Sequence, residues 1–166
     1  MSGHTNTKGS RSFLKSNYTA NKAKGEGLIS AEFKMTFDGY ENLTVLVRTA
    51  QMPEMTREDV EDYGPMGLKF NQHGPLRNSG EIQVQCLETI SGDVMQFIKD
   101  RITAKDYIDI TMSATPESLA GNVTDSTTVY MDDCKIYCDA IDMSTEDVTA
   151  FVRPSLRIVY NWVDWD

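Results

Sequence analysis

Met52-Pro53-Glu54-Met55-Thr56-Arg57-Glu58-Asp59-Val60 opens a turn-rich excursion. It passes Tyr63-Gly64-Pro65-Met66-Gly67 and Gly74-Pro75, and closes on Gly80-Glu81-Ile82-Gln83-Val84. A connection of about 30 residues is long for a compact domain, and connections of that length are commonly functional. Met66, Leu68, Phe70 and Leu76 are spread through it, and apolar side chains on a projecting segment need a partner surface. The excursion is therefore expected to be a structured arm, residues 50–80, hung from a β-scaffold and reaching for a neighbouring subunit. Inside it, Thr56 with Asp59 reads as a capping pair for a short helix, with Glu58 at its positive end and Gly64-Pro65 as its stop.

Working outward, both flanks read as strands. Ile29, Ala31, Phe33, Met35 and Phe37 alternate with Ser30, Glu32, Lys34 and Thr36. Asp38-Gly39 predicts a turn into a second strand carrying Leu43, Val45 and Val47, so that the two form an antiparallel hairpin with one dry face. Burying an apolar side chain stabilises by about 1.5–3 kcal/mol, and backbone ordering offsets most of that. Such a hairpin needs a second sheet. Beyond the arm, a strand is predicted over Glu81–Thr89. A helix is predicted over Asp93–Ala104, with Val94, Phe97, Ile98 and Ile102 at helical spacing, Ser91 as its cap, and Lys99, Arg101 and Lys105 near its end.

Tyr107–Ser113 reads as a strand, 116–126 as a polar loop. Within Thr127–Asp139 the alternation slips: Val129 and Met131 keep one register, Cys134, Ile136 and Cys138 the other, which predicts a bulge at Asp132-Asp133. Ser144 with Asp147 predicts a short helical turn. A final strand over Leu156–Trp165 sets Leu156, Ile158, Tyr160 and Trp162 against Arg157, Val159, Asn161 and Val163. The expected class is mainly β (α+β), a two-sheet antiparallel sandwich or barrel with one flanking helix and a long inter-strand arm.

At 166 residues the chain is of single-domain length. No apolar run approaches the roughly 20 residues of a membrane-spanning helix, and the polar N-terminus lacks a signal peptide's apolar centre. Residues 1–27 carry Lys8, Arg11, Lys15, Lys22 and Lys24 against Glu26, a net +4; since the chain totals −9, residues 28–166 carry −13. The polar first segment is expected to be a mobile basic arm, seated on an acidic neighbour rather than on nucleic acid, and residues 28–166 a single β domain. A body so acidic repels phosphate.

Cys134 and Cys138 lie four residues apart in one strand, roughly 13 Å, too far for a disulfide. With Cys86 they read as three buried thiols in a reducing compartment. His4 and His73 have no ligand-spaced partners for zinc. Asp132, Asp133, Asp139 and Asp142 lack the spacing of a calcium loop and read as a solvated acidic face. No phosphate loop, nucleophile elbow or paired helical histidine is present, and Ser144 and Ser155 have no assignable partner. No catalysis, metal or cofactor is expected.

Pro53 through Gly67, with its Gly64-Pro65-Met66-Gly67 turn, then Gly74-Pro75, then Gly80 to Thr89 leading into Ser91-Gly92 and the helix, resemble the order of elements in bacteriophage tail tube proteins of the contractile-tail type. The resemblance covers most of residues 28–166. It implies a virion structural subunit forming stacked hexameric rings, strands from each joining a continuous inner barrel whose acidic lumen conducts DNA during ejection. It implies sheath and baseplate or terminator proteins as partners, with assembly in the host cytoplasm and no membrane. Met66, Leu68, Phe70, Leu76, Lys8, Arg11 and Lys15 are the candidate assembly residues. Glu32, Glu81, Gln83, Gln85 and Asp109 are the candidate lumen residues, because they alternate with core positions. Two other readings are a bacterial secretion-system tube of the same fold and a small β-barrel binding an apolar ligand.

Overall fold

A computed structural model of the chain describes residues 7–165. These fall into two compact units, one ending at Ala31 and the other beginning at Glu32. His4 and the rest of the first six residues lie outside the described residues.

The first unit contains helix α1, Arg11–Lys22, where the sequence reading placed no element. Ser10 begins it by accepting a hydrogen bond from the Phe13 N–H at 3.4 Å, and Lys22 sits in the last turn, where the carbonyl end favours a cation. None of its residues is buried, and Phe13, Leu14 and Tyr18 lie exposed among its bases.

The second unit is built on strands β1 (Phe33–Phe37), β2 (Val47–Thr49), β3 (Arg57–Tyr63), β4 (Lys69–Leu76), β5 (Gly80–Cys86), β6 (Ile108–Ala114), β7 (Thr128–Cys138), β8 (Ser155–Tyr160) and β9 (Trp162–Asp164), with helix α2 (Asp93–Ala104) between β5 and β6. One seven-stranded antiparallel sheet runs β1-β6-β7-β8-β5-β2, with β9 also on β7; β3 and β4 form a separate two-stranded sheet. The class is mainly β, and the large sheet curls toward a barrel about β7. Residues 128–134 of β7 pair with β6, and residues 135–138 with β8. The change of partner coincides with an extra residue on β7 between Met131 and Cys134, where Asp133 adopts φ 52°. That is the bulge read from the phase slip, and it turns Met131, Cys134 and Ile136 all into the core.

The core is filled by side chains from both halves of the sheet, with Met35, Phe37, Met131, Ile158 and Tyr160 at most 1 % exposed. Helix α2 closes one side, inserting Val94, Phe97 and Ile98. The Phe97 ring lies 5.2 Å from Phe37 and 4.7 Å from Tyr40, both tilted contacts of the favourable kind. Gly80 opens β5 because a Cβ there would lie 2.5 Å from the buried Tyr160 hydroxyl.

Several expectations are corrected. The β1–β2 hairpin does not form: β1 pairs with β6 and β2 with β5. Residues Glu41–Leu46 make a 3-10 helix that buries Leu43 and exposes Val45. Ile29 is exposed, since β1 begins only at Phe33. The predicted helix after Thr56 is instead β3, whose backbone groups are taken by β4. Ser144 to Asp147 forms side-chain turns rather than a helix, with Ser144 Oγ accepting from Glu146 N–H at 3.3 Å. The last strand breaks at Asn161, so Val163 is buried and Trp162 exposed, the reverse of the alternation expected. Cys86 and Cys134 are buried, and burial pushes both thiols up to about 12. Cys138 is only half-buried.

Candidate assembly interface

The β3–β4 hairpin is the arm. Its strands pair from Arg57 opposite Leu76 to Tyr63 opposite Lys69, with a register shift between Arg57 and Asp59. Gly74 sits at that shift because a Cβ there would lie 2.7 Å from the Glu58 carbonyl oxygen. Pro75, which has no N–H to give, is tolerated beside the same irregularity. At the base, Arg77 holds Glu58 at 2.9 Å and Glu54 at 3.3 Å, and its N–H donates to the Thr56 carbonyl at 3.2 Å. Both carboxylates raise the guanidinium pKa further. Farther out, Lys69 pairs with Glu61 at 2.6 Å.

Every residue of the two strands is exposed except Gly74, which is half-buried. Alternation puts Val60, Asp62 and Phe70 on one face, with Asp62 directly opposite Phe70. Leu68 follows on the same side, and Met66 occupies the turn with φ 59° and complete exposure. A two-stranded ribbon is marginal in water by itself, and this one spends apolar side chains on solvent.

Met66, Leu68, Phe70 and Leu76, predicted as assembly residues, are thus brought together on one arm and all exposed. Lys8, Arg11 and Lys15 lie in the first unit: Lys8 precedes α1, while Arg11 and Lys15 stand one turn apart on it. Lys15 reaches over the Tyr18 ring at 5.0 Å. Of the lumen candidates, Glu81, Gln83 and Gln85 share the outward face of β5. There Gln83 donates to Glu81 at 3.3 Å, and Glu81 pairs with Arg157 at 3.4 Å. Asp109 is apart from them on β6, accepting from the Asp133 N–H at the bulge. Glu32 precedes β1 and gives its carbonyl to Thr115 N–H at 2.9 Å. Asp132 is held above the usual aspartate range, first by burial and then by Asp109, Asp133 and Asp164. Asp139 and Asp142 lie beyond the end of β7, away from this group.

Two features escaped the sequence reading. The Arg77 clamp joins residues 19 and 23 positions apart, a spacing that carries no local signature. A groove beside the end of α2 is lined by side chains from three elements, and periodicity cannot bring those together either.

Chains of contractile injection systems share this architecture. One, from an extracellular contractile injection system's sheath and tube terminator (PVC) in the extended state, superposes with TM-score 0.68 at 12 % identity, covering 84 % of this chain and 96 % of that one. This is a contractile-tail tube-type fold. A chain of the PVC sheath-tube complex gives 0.63 at 15 % identity, over 88 % and 95 %. A chain of the anti-feeding prophage cap, which terminates the AFP tube, gives 0.63 at 17 % identity, over 84 % and 90 %. No family model matches the sequence, and no curated protein matches it. Identity this low carries the tube-type fold and nothing finer.

Proposed function

We propose that the chain is a structural subunit of a tail tube: copies close into hexameric rings, and the rings stack around an acidic lumen that conducts DNA. The observation that carries this reading is the arm, an ordered hairpin that leaves Met66, Leu68, Phe70 and Leu76 in water. A monomer gains nothing from such a surface, whereas a neighbouring copy buries it. The edges of the large sheet, β1 and β2, support the same reading, because ring closure removes free edges. The net −13 on residues 28–166 suits a lumen that must not hold phosphate. Sheath, baseplate and terminator proteins are the partners this role requires, and tail particles assembled in the host cytoplasm its location. The role is structural and uses no catalytic group.

A second reading, a secretion or injection tube with no DNA cargo, is favoured by the similarity to chains of injection systems. The ligand-binding barrel gains no support, since large side chains such as Phe37 and Tyr160 fill the interior.

Negative-stain electron microscopy with sedimentation velocity tests the proposal. Hollow stacked rings are the expected result; single rings that never stack point to an end ring. A species that stays monomeric over a wide concentration range overturns the tube.

A further inference from the structure

The body of this chain is acidic, yet one groove on it is basic. It has a volume of about 350 Å³ and lies between the C-terminal end of α2, the turn that follows, and β7. Its walls include Arg101 and Ile102 of α2, Lys105, Asp106 and Tyr107 of the turn, and Lys135 and Tyr137 of β7, three cations against one carboxylate. Arg101 is committed within the chain, donating to the Tyr40 hydroxyl at 2.7 Å and pairing with Asp106 at 3.3 Å. Lys105 and Lys135 have no carboxylate partner among the described residues. Lys105 occupies the left-handed position that ends α2, φ 54°. Residues 135–138 of β7 pair with β8 on one side, and the β6 ladder has already ended at Cys134 on the other. The groove therefore offers two ammonium groups without a carboxylate, Lys105 and Lys135, the second lying over the Tyr137 ring at 6.0 Å, where Arg157 also stands at 4.8 Å; the exposed Tyr107 ring and an aliphatic wall at Ile102 complete it.

The arm carries the converse set. Glu58 and Glu61 are neutralised by Arg77 and Lys69, whereas Asp62, whose Oδ1 accepts the Tyr63 N–H at 2.9 Å, has no cation partner among the described residues. Directly across the ladder from Asp62 stands Phe70, with Leu68 and Val60 on the same side. A carboxylate without a cation stands beside an exposed aromatic ring on the arm, and ammonium groups without a carboxylate stand beside aromatic rings at the groove. We propose that the Asp62–Phe70 face of one copy's arm seats in the Lys105–Lys135 groove of a second copy. Phe70 enters between Tyr107 and Tyr137, where ring contacts stabilise beyond area burial. Asp62 takes the lysines in a partly dry setting, where a charge pair selects partner and register. The inference deepens the tube reading by naming the surface that receives the arm.

Charge exchange tests it on the full-length chain. Asp62→Lys reverses the arm; Lys105→Glu with Lys135→Glu reverses the groove; a third chain carries all three substitutions. The expected result is that each reversal alone loses assembly at concentrations where the parent assembles, the melting temperature staying near the parent's, and that the triple substitution restores assembly. If the groove reversal unfolds the chain, the milder Lys105→Gln with Lys135→Gln is expected to weaken assembly in the same direction. Normal assembly by a folded groove variant overturns the inference, as does a triple variant that folds but stays dispersed; neither touches the tube reading. A parent that associates without forming tubes overturns the tube alone, because the charge exchange still reads the docking. A parent that never self-associates overturns both.

Discussion

Glu88 starts helix α2 from outside it. Its carboxylate accepts the Val94 N–H at 3.2 Å and the Met95 N–H at 2.7 Å, two amides that the helix itself leaves open, and also its neighbour Thr89 N–H at 2.8 Å. Ser91, the cap expected from its position, turns away to Thr89 Oγ1 at 2.9 Å, and the capping position is Gly92 at φ 75°. Glu88→Ala is expected to cost about 1–2 kcal/mol and Ser91→Ala a few tenths at most, as thermal or denaturant melts will measure. Equal losses from the two would return the cap to Ser91. Asp132 gives a second prediction at this scale. Burial, then Asp109, Asp133 and Asp164, raise its folded pKa above the unfolded value, so the ionised carboxylate is less favourable in the folded protein than in the unfolded chain. The cost of ionising it is present above the folded pKa and relieved as pH falls through that value to the ordinary aspartate range. Asp132→Asn should therefore raise the melting temperature at neutral pH, with the gain shrinking on acidification through the carboxylate range. A gain independent of pH would mean the carboxylate charge is not what the site resists.

Among the elements, the arm and β7 are instructive together. The bulge in β7 was legible because burial on one face forces an alternation to slip wherever a residue is inserted, and Met131 to Cys134 displays that slip in the sequence itself. The arm was legible as a projecting, ordered segment with apolar residues. Its secondary structure was not, because Glu58, Asp59, Glu61 and Asp62 occupy both faces of β3 and erase the period-two signal. What makes it a strand is β4, folding back beyond the Gly64–Gly67 turn to take its backbone groups. Since Phe70 is 60 % exposed, Phe70→Lys should change stability by no more than about 0.5 kcal/mol. Its new ammonium would sit opposite Asp62 and leave the ribbon intact, while assembly should be lost. Sedimentation beside thermal melts reads both effects; a collapse of folding would move Phe70 into the subunit's own core.

For the whole molecule, the first unit is the separable part. No residue of α1 is buried, so deletion of residues 1–27 should leave the melting transition of the β unit unchanged while shortening or abolishing tubes. Tubes of normal length from the deleted chain would remove the basic segment from the assembly role. The amino-acid sequence by itself determined the β class, helix α2, the bulge, the acidic body with its basic first segment, and a projecting arm that carries apolar residues. Each of these is a local period or a sum of charges. Only the tertiary structure decided which strands pair: β1 finds β6 and β2 finds β5 across more than 30 intervening residues, because a strand's hydrogen-bonding edges accept any partner whose dry face meets the same core. It alone also set Lys105 beside Lys135 and Arg77 between Glu54 and Glu58, for such neighbours are made by chain return, and no spacing along the sequence encodes them.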